Sequence, residues 1–142
     1  MGRVMQVIKL ANSVDEELVA RGELDPSAIR TVVIEALVDT GATMLVLPAD
    51  VVEKLGVRVQ GHRNVRYADG RTNPVPWVGG VKITILGRET IVTALVEGVG
   101  TTPLIGQIPL EELDLLVDPK SRELRVNPAS PDAPLMDALT AA

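Results

Sequence analysis

The sequence predicts an all-β fold, and three observations carry that expectation. The core must be built from Val, Leu, Ile and Ala, because the 142 residues include no Phe, one Trp and one Tyr, and Val-rich segments favour strands. Several short apolar or alternating runs are bounded by turn residues, as buried and half-buried strands are. An Asp-Gly pair, Asp69-Gly70, stands between two extended segments and signals a hairpin.

Taken in order, Val4 to Leu10 alternates loosely and reads as a first strand. Asn12 to Ser27 is polar and acidic with a turn signal at Asp25-Pro26; it holds either one helical turn around Glu16 to Leu18 or a long hairpin connection. Thr31 to Val38 is apolar and β-branched enough for a strand covered on both faces. Ala49 to Gly56 places Val51, Val52 and Leu55 on one face before a glycine terminator, so it reads as a short packing helix. Val65 to Thr72 is the Asp-Gly hairpin, and Pro74 and Pro76 make the section after it an edge or an irregular arm rather than a continuous central strand. Gly80 to Leu86 and Thr90 to Val96 form a second hairpin with one buried face. Ile108 to Leu113 reads as a helix with Glu111 and Glu112 outward. Leu115 to Val126 turns at Asp118 to Ser121.

One domain is expected over residues 1–128, with 129–142 a flexible C-terminal tail, since residues 128–142 hold three prolines among small residues. Leu135, Met136 and Leu139 read as part of a frayed end in preference to a docked short helix or an occupant of a neighbour's cleft. A net charge of -5 with the 14 Lys and Arg scattered along the chain argues against nucleic acid. No disulfide is possible without cysteine. No apolar run approaches the ~18 residues of a membrane span, and no signal-like segment opens the chain. The expected location is cytoplasmic. One histidine, His62, and no ligand-spaced pair speak against a metal hydrolase.

The chain is organised around Ala36-Leu37-Val38-Asp39-Thr40-Gly41-Ala42-Thr43-Met44-Leu45-Val46-Leu47-Pro48. An apolar run delivers one carboxylate, one hydroxyl and one glycine into a tight turn, and a second apolar run carries the chain away. A carboxylate leaving so dry a setting must be paired, hydrogen-bonded or partly protonated. Three residues alone arise by chance in about one chain in 20 at ordinary amino-acid usage, so the context decides. Asp39-Thr40-Gly41-Ala42-Thr43 with Leu45 to Pro48, and later Pro103-Leu104-Ile105-Gly106 with Leu110 and Leu113, resembles the retropepsin-like aspartic proteases, in particular their single-domain bacterial branch. The resemblance spans residues 30–128.

That resemblance implies a small closed acid-protease barrel with one short helix in the C-terminal half, assembled as a twofold homodimer. It implies an aspartic endopeptidase in which Asp39 of each subunit shares a proton with its twin and activates water, with no metal and no cofactor. Thr40, Gly41 and Ala42 complete the active-site loop. Tyr67, Ala68, Asp69, Gly70 and Arg71 match the flap that folds over bound peptide, and Leu104, Ile105 and Gly106 the second motif, packed beneath the Asp loop. The expected partners are a peptide or protein substrate and a second copy, with no nucleic acid and no membrane. Two positions depart from the viral pattern: Thr43 and Gln107 stand where viral members carry an acidic residue and an arginine. The polar flap tip and the missing charges motivate an alternative, a non-catalytic peptide-binding or dimerisation module on the same fold.

Overall fold

The computed structural model describes residues 3–138; Met1-Gly2 and Leu139 lie outside the described residues. The elements are β1 (Met5–Asn12), α1 (Ser13–Ala20), β2 (Thr31–Val38), β3 (Leu45–Pro48), α2 (Ala49–Leu55), β4 (Val59–Arg66), β5 (Thr72–Ile85), β6 (Arg88–Glu97), β7 (Leu104–Ile105), α3 (Gln107–Glu112), β8 (Leu115–Asp118) and β9 (Glu123–Val126), with a short 3-10 turn at Pro26–Ala28. Seven strands make one mixed sheet in the order β1-β2-β7-β3-β6-β5-β4, and β8 and β9 pair separately. The end of β1 also pairs with β5, Leu10 opposite Ile83.

The expectation of an all-β closed barrel with a single helix is corrected on both counts. Three helices make this a mixed α/β fold, and the sheet is open, because β4 pairs with β5 on one side and leaves its other edge free. The physical reason lies in what periodicity reports. Apolar spacing marks the face a segment buries, and α1 buries an aspartate instead of an apolar stripe.

Asn12 and Asp15 hold that helix. The Asn12 side-chain Oδ1 accepts from the Val14 and Asp15 backbone N–H groups at 2.9 and 3.1 Å, an N-cap, while its Nδ2 donates to the Leu55 carbonyl at 2.9 Å. Asp15 is 4% exposed and takes the Arg30 guanidinium through two bonds of 2.9 Å. That pairing holds its carboxyl below the usual carboxylate range. Lys82 of β5 reaches Glu16 at 3.1 Å and Glu89 at 3.3 Å. The 12–27 connection therefore contains an eight-residue helix anchored through its first turn, not a single turn.

The main core lies between β1, β2, β3, β5 and β6 and is capped by α2, whose Val51, Val52 and Leu55 are all buried. Each such side chain contributes about 1.5–3 kcal/mol by leaving water. Gly56 ends α2 at φ +66, the left-handed turn that glycine accepts. β5 runs unbroken for 14 residues through Pro74 and Pro76, which corrects the irregular arm. Its pairing with β6 begins only at Trp77, so both prolines fall where β5 has β4 as its one neighbour and a missing N–H costs nothing on the free side. In α3, Leu110 and Leu113 are buried as expected, but Ile108 is exposed.

Beyond β9, the buried Arg88 donates to the carbonyls of Leu113, Asp114 and Ser130. The Asp114 carboxylate accepts from the Asn127 amide at 3.0 Å, from the Ser130 hydroxyl, and from the Leu135 N–H at 3.1 Å. These donors, the Ser130 hydroxyl first, pull the Asp114 carboxyl down to about 2.

Candidate active site

β2 carries the chain outward from the core to Asp39, and β3 carries it back. Between them lies β7: Leu37 and Val38 pair in parallel with Leu104 and Ile105, and Val46 pairs antiparallel with Leu104. The two sequence motifs are thus joined strand to strand. Pro103 accepts the Leu37 N–H at 2.9 Å and Ile105 accepts the Asp39 N–H at 3.0 Å, so the second motif fixes the backbone of the first on either side of Val38.

The loop itself is tied by short bonds. Ala42 donates its N–H to the Asp39 carbonyl at 3.1 Å, and the Gly41 N–H points at Asp39 Oδ1 at 2.9 Å. A Cβ on Gly41 would stand 3.2 Å from that oxygen, which is why the loop approaches its own carboxylate so closely only with glycine there. Asp39 is half-buried, and Thr40, Gly41 and Thr43 are exposed. Among the described residues Asp39 Oδ2 has no hydrogen-bond partner.

Beneath the loop, Gly106 and the first turn of α3 act as a cradle. Gln107 and Ile108 donate their N–H groups to the carbonyls of Ala42 and Thr43, both at 2.9 Å. These are two of the donors a helix start leaves without an internal partner. The Gln107 side-chain amide adds a bond to the Thr40 carbonyl at 3.0 Å. So at the position where the viral pattern carries an arginine, a neutral amide clamps the loop within one chain.

Across the sheet, β4 and β5 build the predicted flap hairpin. Its tip is closed by Tyr67 N–H to the Arg71 carbonyl at 2.8 Å and Gly70 N–H to the Tyr67 carbonyl at 2.9 Å. Arg71 lies over the Tyr67 ring at 4.9 Å and pairs with Asp69 at 3.7 Å. The tip is not isolated. Tyr67 donates its hydroxyl to Glu97 at 2.9 Å, and this bond, more than burial, pushes the phenol up from its ordinary value.

Trp77 packs against a second apolar cluster of Met44, Val46, Val75 and Leu95, joined by Val65 and Leu104. Arg63 covers the Trp77 ring at 5.1 Å and touches Met44 Sδ at 3.3 Å. The flap arm is therefore seated on side chains that follow the Asp loop directly.

A family model described as aspartyl protease matches residues 25–107, more than half of the chain. The chain belongs to the aspartyl protease family. A solved structure of the EIAV protease complexed with the inhibitor HBY-793 shares its fold at a TM-score of 0.55 and 17% identity, covering 77% of this chain and 86% of that one. A search of curated proteins gives no match. At that identity the likeness to the EIAV protease is one of fold alone. Of the predicted site residues of this family member, Asp39 to Ala42 and Leu104 to Gly106 are brought together. Tyr67 to Arg71 stand apart at the flap tip and meet the body of the sheet through Glu97. Glu97 was marked by no motif; its place at the end of β6, opposite Pro48, lets it meet Tyr67, and Gln107, noted only as a departure from the viral pattern, clamps the loop through the turn after Gly106.

Proposed function

We propose that the chain is a homodimeric aspartic endopeptidase of the single-domain type, in which Asp39 of each of two copies forms the catalytic pair. The observation that carries this reading is the loop geometry: Asp39 Oδ1 is held by the Gly41 amide, Oδ2 has no partner among the described residues, and Thr40 and Gly41 are exposed on a chain that holds a single Asp-Thr-Gly sequence. A twofold axis at Thr40 supplies the second carboxylate. Two carboxylates that close cannot both ionise, and they share one proton.

The ionised member takes a proton from water as that water attacks the peptide carbonyl, and the protonated member gives its proton to the carbonyl oxygen. The roles then exchange, and the leaving amine is protonated. Thr40 bonds across the axis, the Gly41 backbone meets the substrate chain, and the Tyr67 to Arg71 hairpin closes over it. Support comes from family membership, from the retropepsin-like fold and from the seating of the flap arm beside the loop.

Asp39→Asn keeps the shape and removes the shared proton site, so it abolishes cleavage of casein or a peptide library while leaving the dimer intact in sedimentation equilibrium. Cleavage by a clean Asp39→Asn preparation refutes the reading. Peptide binding without turnover by the wild-type dimer points instead to the non-catalytic module.

A further inference from the structure

The basic residues that look scattered along the sequence are gathered by the β4–β5 hairpin. Residues 57–72 hold Arg58, Arg63, Arg66 and Arg71 against one acid, Asp69. Four positive charges less one negative give this arm +3; with the whole chain at -5, the remaining residues carry -8. The arm is a positive strip on an acidic protein.

That strip coincides with the one long edge the sheet leaves open. β4 pairs with β5 only, so every second residue of Val59–Arg66 turns an N–H and a C=O outward with no strand to meet them. Two of its arginines are already ordered: Arg63 stands over the Trp77 ring, and Arg71 lies over Tyr67 and pairs with Asp69. Arg58 and Arg66, one at each end of the strand, are exposed and have no carboxylate partner among the described residues.

We propose that the free edge of β4 is a docking site for an extended, acidic segment of polypeptide, which adds as a strand beside the flap. Outward backbone groups supply the pairing, as in strand addition to any open edge. Arg58 and Arg66 supply the preference for acidic side chains. The same groups suit a peptide better than a nucleic acid, because the open edge pairs with peptide N–H and C=O groups and two unpaired arginines neutralise few phosphates. This inference deepens the protease reading by naming a substrate class, those carrying an acidic stretch beside the cleaved segment. Its binding step is measurable without turnover.

The test uses a fluorescein-labelled peptide in which Glu alternates with Thr and Val, titrated by anisotropy into full-length Asp39→Asn protein, so cleavage does not interfere. The Glu→Gln version of the peptide and a single-stranded oligothymidylate of equal charge serve as competitors. The acidic peptide is expected to bind about 2- to 30-fold more tightly than its Gln version, from two exposed ion pairs. The Arg58→Gln, Arg66→Gln double variant should remove that preference, and N-methylation of alternate peptide amides should abolish binding. Since both arginines are exposed and unpaired, the double variant folds as the parent does, which circular dichroism checks.

Equal binding of the Gln peptide, equal binding of the oligonucleotide, or unchanged binding by the double variant overturns the proposal. The last two outcomes would leave the arginines as a generic anion surface or as charges that merely keep the edge from pairing with other copies. With Asp39 restored, the double variant should raise KM for an acidic substrate several-fold with kcat unchanged. Absence of any turnover in that wild-type assay counts against the protease reading alone, because the binding result stands by itself.

Discussion

Gly106→Ala is the sharpest probe of how the Asp39 loop is held. The backbone at Gly106 is ordinary extended chain, φ -89 and ψ -169, so alanine has no conformational objection to the site. Space is the objection: a Cβ would stand 2.5 Å from the Met44 carbonyl oxygen, 2.7 Å from that of Ala42 and 2.7 Å from the Met44 nitrogen. All three are backbone atoms, so no side chain can swing aside. Relief requires the loop to lift, which stretches the bonds from Gln107 and Ile108 to Ala42 and Thr43. Overpacking of this kind costs about 1–3 kcal/mol, and two weakened hydrogen bonds add about 1 kcal/mol. Taken together, about 3 kcal/mol is expected, or a fall in Tm of about 9 °C for a chain of this size. Urea unfolding at neutral pH measures the first figure, and amide hydrogen exchange at Gly41 and Ala42 should accelerate in step. A variant within about 0.5 kcal/mol of wild type, the range of an inert surface change, with unaltered loop exchange, would mean that the loop is not packed against Gly106.

Three further outcomes follow from other parts of the fold. Asn12→Ala loses the α1 cap and leaves the Leu55 carbonyl without its donor, and should cost about 2–3 kcal/mol in urea unfolding. Tyr67 is the one tyrosine of the chain, so phenolate absorbance reads it alone. Its ionisation should lie above 10 and shift back down in Glu97→Gln, because the Glu97 bond is the main cause of the rise. The stability it contributes is present below the unfolded value of 10 and lost as pH rises through the folded one. Asp114 behaves oppositely: its carboxyl falls from 3.8 to about 2 on folding, so its contribution is full above 3.8 and disappears as pH falls toward 2. Asp114→Asn should therefore lower the urea midpoint at pH 7, with the difference from wild type closing in acid.

The parts of the fold that announced themselves in the sequence are those where one residue type answers one local demand. Gly56 ends α2, Asp69-Gly70 turns the flap hairpin, and the apolar runs of β2 and β3 flank Asp39. The pairing of the second motif with the first entered by resemblance, and the strand register of Leu104 and Ile105 agrees with it. What stayed hidden depends on partners distant in sequence. α1 showed no apolar stripe because Asp15 is buried against Arg30, fifteen residues on. The run through Pro74 and Pro76 looked broken because a proline's tolerance depends on which neighbours the strand has, and those are set by β4 and β6. Closure of the sheet could not be read at all, since nothing in β4 states whether a further strand will meet it. In the site, Asp39 was visible through its flanking runs. Glu97 was not, because its role comes from a tyrosine thirty residues earlier.

The two ends of the described chain leave the molecule in different places. Val4 accepts the Val38 N–H at 2.8 Å, one residue before Asp39, whereas Leu135 is tied to Asp114, beyond the far end of α3 from the loop that Gln107 and Ile108 support. Whatever is fused ahead of Val4 thus emerges beside the Asp39 loop, where the proposed dimer would bring a second copy. An affinity tag placed there can itself produce a monomeric, silent preparation, while the same tag after the C-terminal segment leaves that approach clear. For the proposed two-chain chemistry, the choice of tagged end belongs among the experimental variables.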